Sequence, residues 1–152
     1  MSAQLALLPE LLTAHLQLTL AALWVGFMVS VPLGVVATRL RRLEAPVTMT
    51  ASVVQTIPGL ALLAVMVPVL AALGWTSIGF LPAFLGLVLY SVLPMLRNTI
   101  TGLRGIDPAM IEAARGVGMR PAQRLWRVEL PLAVAVIVAG VRTATVWTVG
   151  MA

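Results

Sequence analysis

The stretch APVTMTASVVQTIPGLALLAVMVPVLAALGWTSIGFLPAFLGLVLYSVLPML, residues 45–96, decides the fold class. It runs for 52 residues without one Asp, Glu, Lys or Arg. A helix crosses the hydrocarbon core of a bilayer in about 20 apolar residues. The run is therefore too long for one span and suits two. Gly74-Trp75-Thr76-Ser77-Ile78-Gly79 supplies the break, with two glycines, two hydroxyls and an interfacial Trp. This predicts spans near 50–72 and 78–97.

Upstream, residues 11–38 carry no formal charge between Glu10 and Arg39, which places a span at about 16–38. Downstream, 97–129 is the one long polar stretch. After it an apolar run broken only by Arg142 reads as a fourth span, 131–152. The fold class is all-α: a polytopic transmembrane helix bundle forming a single domain over 1–152. Composition agrees, since 61% of the 152 residues are hydrophobic and 10% charged, against about 25% charged in soluble domains. The chain is still apolar at Ala152, so it reads as truncated at the C-terminus. No charged n-region or cleavage site precedes the first apolar run, which argues against a signal peptide.

The net charge of +5 comes from ten Arg and five acids. In a soluble domain it would suggest nucleic acid. Here nine of the Arg lie in two segments, 39–44 and 97–129, which a four-span chain puts on one side. The positive-inside rule makes those segments cytoplasmic and the N-terminus external, and the charge needs no nucleic-acid partner. There are no cysteines and one histidine, His15, so a thiolate site or a multi-His metal site is excluded. No nucleophile or acid–base set stands out, and the expectation is a protein that is not an enzyme and holds no metal.

The segment between spans three and four carries its own signals. Asp107-Pro108 reads as an N-cap followed by proline at the first helical position. Ala109 to Arg115 continue a short helix, and Gly116 or Gly118 can close it in the left-handed region. Pro121 opens a second short helix with Leu125, Trp126 and Val128 among arginines, and Pro131 re-enters the membrane. Two short helices with small residues at Ala113, Ala114, Gly116 and Gly118 suit docking into a groove on a partner. An amphipathic hairpin lying on anionic lipid fits the same residues.

Glu112-Ala113-Ala114, then Gly118, then Val128-Glu129-Leu130-Pro131 resembles the EAA loop of ATP-binding-cassette (ABC) importer permeases, with Val128 the one departure. Gln55 to Leu63, Arg97-Asn98-Thr99 and Gly140 to Thr145 are similar to the osmoprotectant subgroup, which takes glycine betaine, carnitine or choline. The resemblance implies a type I ABC importer permease of MetI-like fold. It implies that Glu112, Ala113, Ala114, Gly118, Leu130 and Pro131 couple the spans to a cytoplasmic ATPase through a loop at 98–130. It also implies an extracytoplasmic substrate-binding protein, a second permease subunit in a homodimer or heterodimer, and residence in the bacterial inner membrane. ATP would be bound and hydrolysed by the ATPase subunit, with no cofactor on this chain. Members usually continue through at least one further span.

Within the spans, Arg142 lies 11 residues beyond Pro131, roughly 16 Å into the bilayer at 1.5 Å per residue. A charge there is costly unless paired or hydrated, and no span holds an acid. Arg142 is a candidate for the translocation path, with an interhelical hydrogen-bond donor as the plainer alternative. Gln55, Thr56 and Pro58 form a polar point where proline frees a backbone carbonyl; they either line the path or mark a simple kink. Ala135, Ala139 and Thr143 are spaced by four, Gly140 and Ala144 repeat the spacing, and this small-residue face suits close helix packing within the chain. Gly118 is expected to be a backbone-geometry residue, since a side chain would obstruct the turn. The same machine for another solute such as an amino acid is the nearest alternative. A membrane scaffold that docks a cytoplasmic partner without transport is the more distant one.

Overall fold

The structure is a computed structural model and describes residues 2–151. Met1 and Ala152, the ends of the expected domain, lie outside the described residues. Helix α1 spans Ser2–Arg39, α2 Arg41–Thr56, α3 Gly59–Ala72, α4 Phe80–Arg104 and α5 Pro108–Gly116. A helical turn α6, Pro121–Arg124, leads through a π turn, Leu125–Glu129, into α7, Leu130–Met151. No strand occurs among the described residues.

Helix α4 is the centre of the bundle, with α1 and α7 packed on it. Small residues set both contacts. A Cβ on Gly34 would stand 2.7 Å from Thr99 Cγ2, and one on Gly26 would overlap the Ser91 hydroxyl. The partner numbers rise together, so α1 and α4 run parallel. On the other side, a Cβ on Gly102 would meet Ala133, and one on Gly140 would lie 2.6 Å from Asn98 Cβ and 2.9 Å from the Pro94 carbonyl. Here the numbers run oppositely, and α7 is antiparallel to α4. Lipid offers no hydrophobic drive for helix association, so such backbone approach and its dispersion contacts carry the packing. Leu93, Met95 and Leu96 are fully buried: Met95 packs with Leu23 of α1 and Ala144 of α7, and Leu96 with Ala37 of α1 and Val47 and Ala51 of α2. Ser30 on α1 adds a polar contact, donating to the Gly26 and Val92 carbonyls at 2.6 and 3.1 Å.

Three of the sequence expectations change. The span expected at 50–72 is two helices, α2 and α3, bent by 107° at Ile57-Pro58. Proline lacks the N–H that would continue α2 and disfavours helical geometry in the residue before it; Ile57 is accordingly extended, with ψ 123°. The loop at 39–44 shrinks to Leu40, and Arg41, Arg42 and Glu44 belong to the first turn of α2. The helix that carries the fourth span does not begin at Pro131. It continues without a break from Pro121, because the π turn absorbs the junction and Pro131 falls in the first turn of α7, where no intrahelical N–H is lost that the π turn had not already displaced.

The buried line of α7 is Ala133, Ile137, Gly140, Ala144 and Thr148. Of the small-residue face read from the sequence, Gly140 and Ala144 pack on α4, while Ala135, Ala139 and Thr143 are exposed. Helix α1 turns Leu16, Leu20 and Trp24 outward, as a lipid-facing surface does.

Candidate functional site

Helix α5 stands between the ends of α4 and α6, on the end of the bundle where the arginines gather. Its start is fixed by Asp107, whose carboxylate accepts the Ala109 N–H at 2.9 Å, with Pro108 next in line. Its end is a Schellman closure. The Met119 N–H donates to the Ala114 carbonyl at 3.1 Å and the Gly118 N–H to the Arg115 carbonyl at 2.9 Å. Gly118 has φ +76°, the left-handed region that costs a Cβ-bearing residue roughly 1–2 kcal/mol. A Cβ there would meet nothing within 4 Å. The requirement for glycine is thus the backbone geometry expected of it, and it comes from φ and not from neighbours that a side chain would strike. Gly116 lies inside the helix and does not cap it.

Both short helices expected from the sequence start at their prolines, but only α5 is separate; α6 is the first turn of the long helix that becomes α7. The Arg120 N–H donates to Gln123 Oε1 at 2.9 Å and closes the α6 N-terminus. Glu112 and Ala113 are exposed on α5, and Ala114 is buried against the bundle. Met110, Val117 and Trp126 add exposed apolar surface at 47, 74 and 72%. Leu130 is half-buried and Pro131 exposed. The motif residues thus divide into an outward group, Glu112, Ala113 and Gly118, and a group near the helix junction.

Glu129 is a functional candidate that the sequence reading passed over. It is 3% exposed and accepts from two arginines: Arg124 Nε at 2.6 Å and Arg39 Nη2 from the end of α1. The only sequence clue was an acid between Val128 and Leu130 at an apolar boundary. Arg104 at the end of α4 pairs with Glu44 of α2, and Arg97 Nη2 donates to Ser52 Oγ at 2.7 Å.

The polar point at Gln55, Thr56 and Pro58 is a clasp between two proline breaks. Pro94 has no N–H to donate to the Tyr90 carbonyl, and Gln55 Nε2 donates to it at 3.1 Å. The bend at Pro58 leaves the Ile57 carbonyl without a helical partner, and the Tyr90 hydroxyl donates to it. Each helix satisfies the carbonyl that the other's break releases. Thr56 is exposed, with its hydroxyl on the Val53 carbonyl at 2.7 Å, and Pro58 is exposed. An apolar cavity of ≈ 430 Å³, lined by Leu18, Leu62, Leu87 and Tyr90, lies beside the clasp. Arg142 is elsewhere. It sits on the exposed face of α7, and among the described residues it makes no ion pair or side-chain hydrogen bond. The bundle of this chain does not enclose it.

A polytopic helical membrane protein with a capped helix set out from its arginine-rich end is the class that fold and site define. Residues 30–152 match the family of binding-protein-dependent transport system inner membrane components, and the chain belongs to that family. It is 44% identical over 138 residues to the choline transport system permease protein OpuBB of Bacillus subtilis, covering 91% of this chain and 61% of that one. It is 42% identical over 144 residues to the osmoprotectant import permease protein OsmW of Salmonella typhimurium, covering 95% and 66%. The chain therefore spans somewhat under two thirds of the length of these relatives. A chain of the MetNI methionine ABC transporter, solved in an inward-facing conformation, superposes with a TM-score of 0.85 at 26% identity, covering 99% of this chain and 73% of that one.

Proposed function

We propose that this chain is the membrane-spanning permease subunit of an ABC importer for a small osmoprotectant of the glycine betaine, carnitine or choline kind. The observation that carries the proposal is α5: a helix capped at both ends, bearing the Glu112-Ala113-Ala114 face, on the arginine-rich end of a family member. A helix with fixed ends moves as a body, which coupling to a cytoplasmic ATPase requires. The names of the relatives supply the solute class. In this reading the arginine-rich end is cytoplasmic and the N-terminus external. ATP is bound and hydrolysed by the ATPase, and an extracytoplasmic binding protein delivers the solute. A second permease subunit completes the path, and Arg142, which faces away from its own bundle, faces that path.

The test is co-purification with the ATPase subunit. Gly118→Val forces a β-branched residue into a left-handed turn and should release the ATPase while the chain still inserts. ATPase retention together with unchanged uptake of radiolabelled choline and glycine betaine would refute the coupling role of α5.

A further inference from the structure

The charge cluster at the π turn has a task that the coupling reading leaves open. Arg124 and Glu129 are five residues apart. In a regular α-helix that spacing turns two side chains about 140° away from each other. The π turn over Leu125–Glu129 closes i to i+5 and brings them onto one side. The pair exists because the helix is wound wider there. Both members are buried, with side chains 10% and 4% exposed. Arg39 reaches the second carboxylate oxygen from the last turn of α1, where its charge also suits the helix C-terminus.

Glu129 thus joins three segments at one point: the end of α1, the start of the long helix, and through the π turn the body of α7. Helix α5 packs on that turn. Among the described residues no other side-chain hydrogen bond or ion pair links the 105–129 segment to α1. Apolar packing of similar volume would hold such a junction as firmly. A directional, doubly paired carboxylate instead fixes how the segments are oriented.

We infer that Glu129, held by Arg39 and Arg124, is the positioning residue that passes a displacement of α5 to α1 and α7. The inference rests on the proposed coupling role of α5. If it holds, loss of the joint spares ATPase binding and separates ATP hydrolysis from movement of the spans.

The experiment uses the chain assembled with its ATPase and binding protein in proteoliposomes, with choline and glycine betaine as solutes. Glu129→Gln and Arg39→Met should both keep the ATPase bound and hydrolysing, while solute moved per ATP falls about ten-fold, within the usual range of coupling between sites. Glu129→Asp, which keeps the charge, should recover part of the loss. Arg39 is half-exposed, so Arg39→Met decides the matter if Glu129→Gln fails to insert. A wild-type ratio of uptake to hydrolysis in Arg39→Met overturns the inference.

A second readout does not depend on transport. The chain has no native cysteine, so spin labels on cysteines placed at the exposed positions Val36 and Met110, with labelled chains diluted into unlabelled ones, report α1 against α5 within one chain. The distance distribution should be narrow in the parent and broad in Arg39→Met. Equal widths overturn the joint even if the wild-type assembly moves no solute, and that absence of transport would count against the importer reading only.

Discussion

The seam between α4 and α7 and the seam between α4 and the α2–α3 pair solve the same problem differently. At the first, Gly102 and Gly140 remove side chains so that backbones touch. At the second, no residue of α2 is buried; Val47 and Ala51 pack partly against Leu96 and Ile100, Leu62 and Leu63 of α3 lie at Gly86, and Gln55, Ser52 and Glu44 reach across as tethers to Tyr90, Arg97 and Arg104. Backbone contact leaves no slack, because a close-packed seam resists any change in volume. Side-chain tethers can lengthen or exchange partners. The difference teaches that α1, α4 and α7 form the stiff part of the molecule and that α2–α3 is a bent arm hung on it.

The strongest way to break this comparison is at Gly140. Gly140→Val should destabilise by about 3 kcal/mol or more, because the new side chain meets the Pro94 backbone, which cannot yield as a flexible side chain would. Thermal unfolding in detergent measures it, and an unchanged midpoint would mean that the seam has slack after all. A smaller effect is expected at the clasp. Tyr90→Phe deletes the donor to the Ile57 carbonyl and should cost about 1 kcal/mol. Hydrogen exchange should quicken in α3 and stay slow in α4 and α7; a uniform rise across the bundle would erase the distinction between arm and core. The smallest effect belongs to Glu44→Gln. Its pair with Arg104 is partly exposed and should contribute less than about 1 kcal/mol, with the difference from the parent shrinking as salt is raised.

Much of the candidate site was legible along the chain. Asp107-Pro108 and Gly118 mark the limits of α5 because N-caps and left-handed glycines act through neighbours two to five residues away. The spaced motif from Glu112 to Pro131 indicated the family that residues 30–152 match. Glu129 was not legible as a special residue. Its importance comes from Arg39, ninety positions distant, and from a π turn that no local preference announces. The placement of Arg142 was half legible for a related reason. Its depth follows from counting residues, but the side of α7 it occupies depends on which face packs against α4. The small-residue face of α7 divides in the same way: Gly140 and Ala144 pack within the chain and Ala135, Ala139 and Thr143 do not, since only a neighbour decides where on such a face the contact falls.

The sequence by itself determined what short-range chemistry determines: that the chain is helical and bilayer-sized in its apolar runs, that its arginines gather at one end, and that α5 has fixed limits. Only the tertiary structure decided that α4 is the centre, that the second span is bent and clasped through Tyr90 and Gln55, and that Glu129 is a junction. Hydropathy and capping are sums over nearby residues, whereas a shared carboxylate or a glycine seam exists only once distant helices have been brought to within a few ångströms of each other.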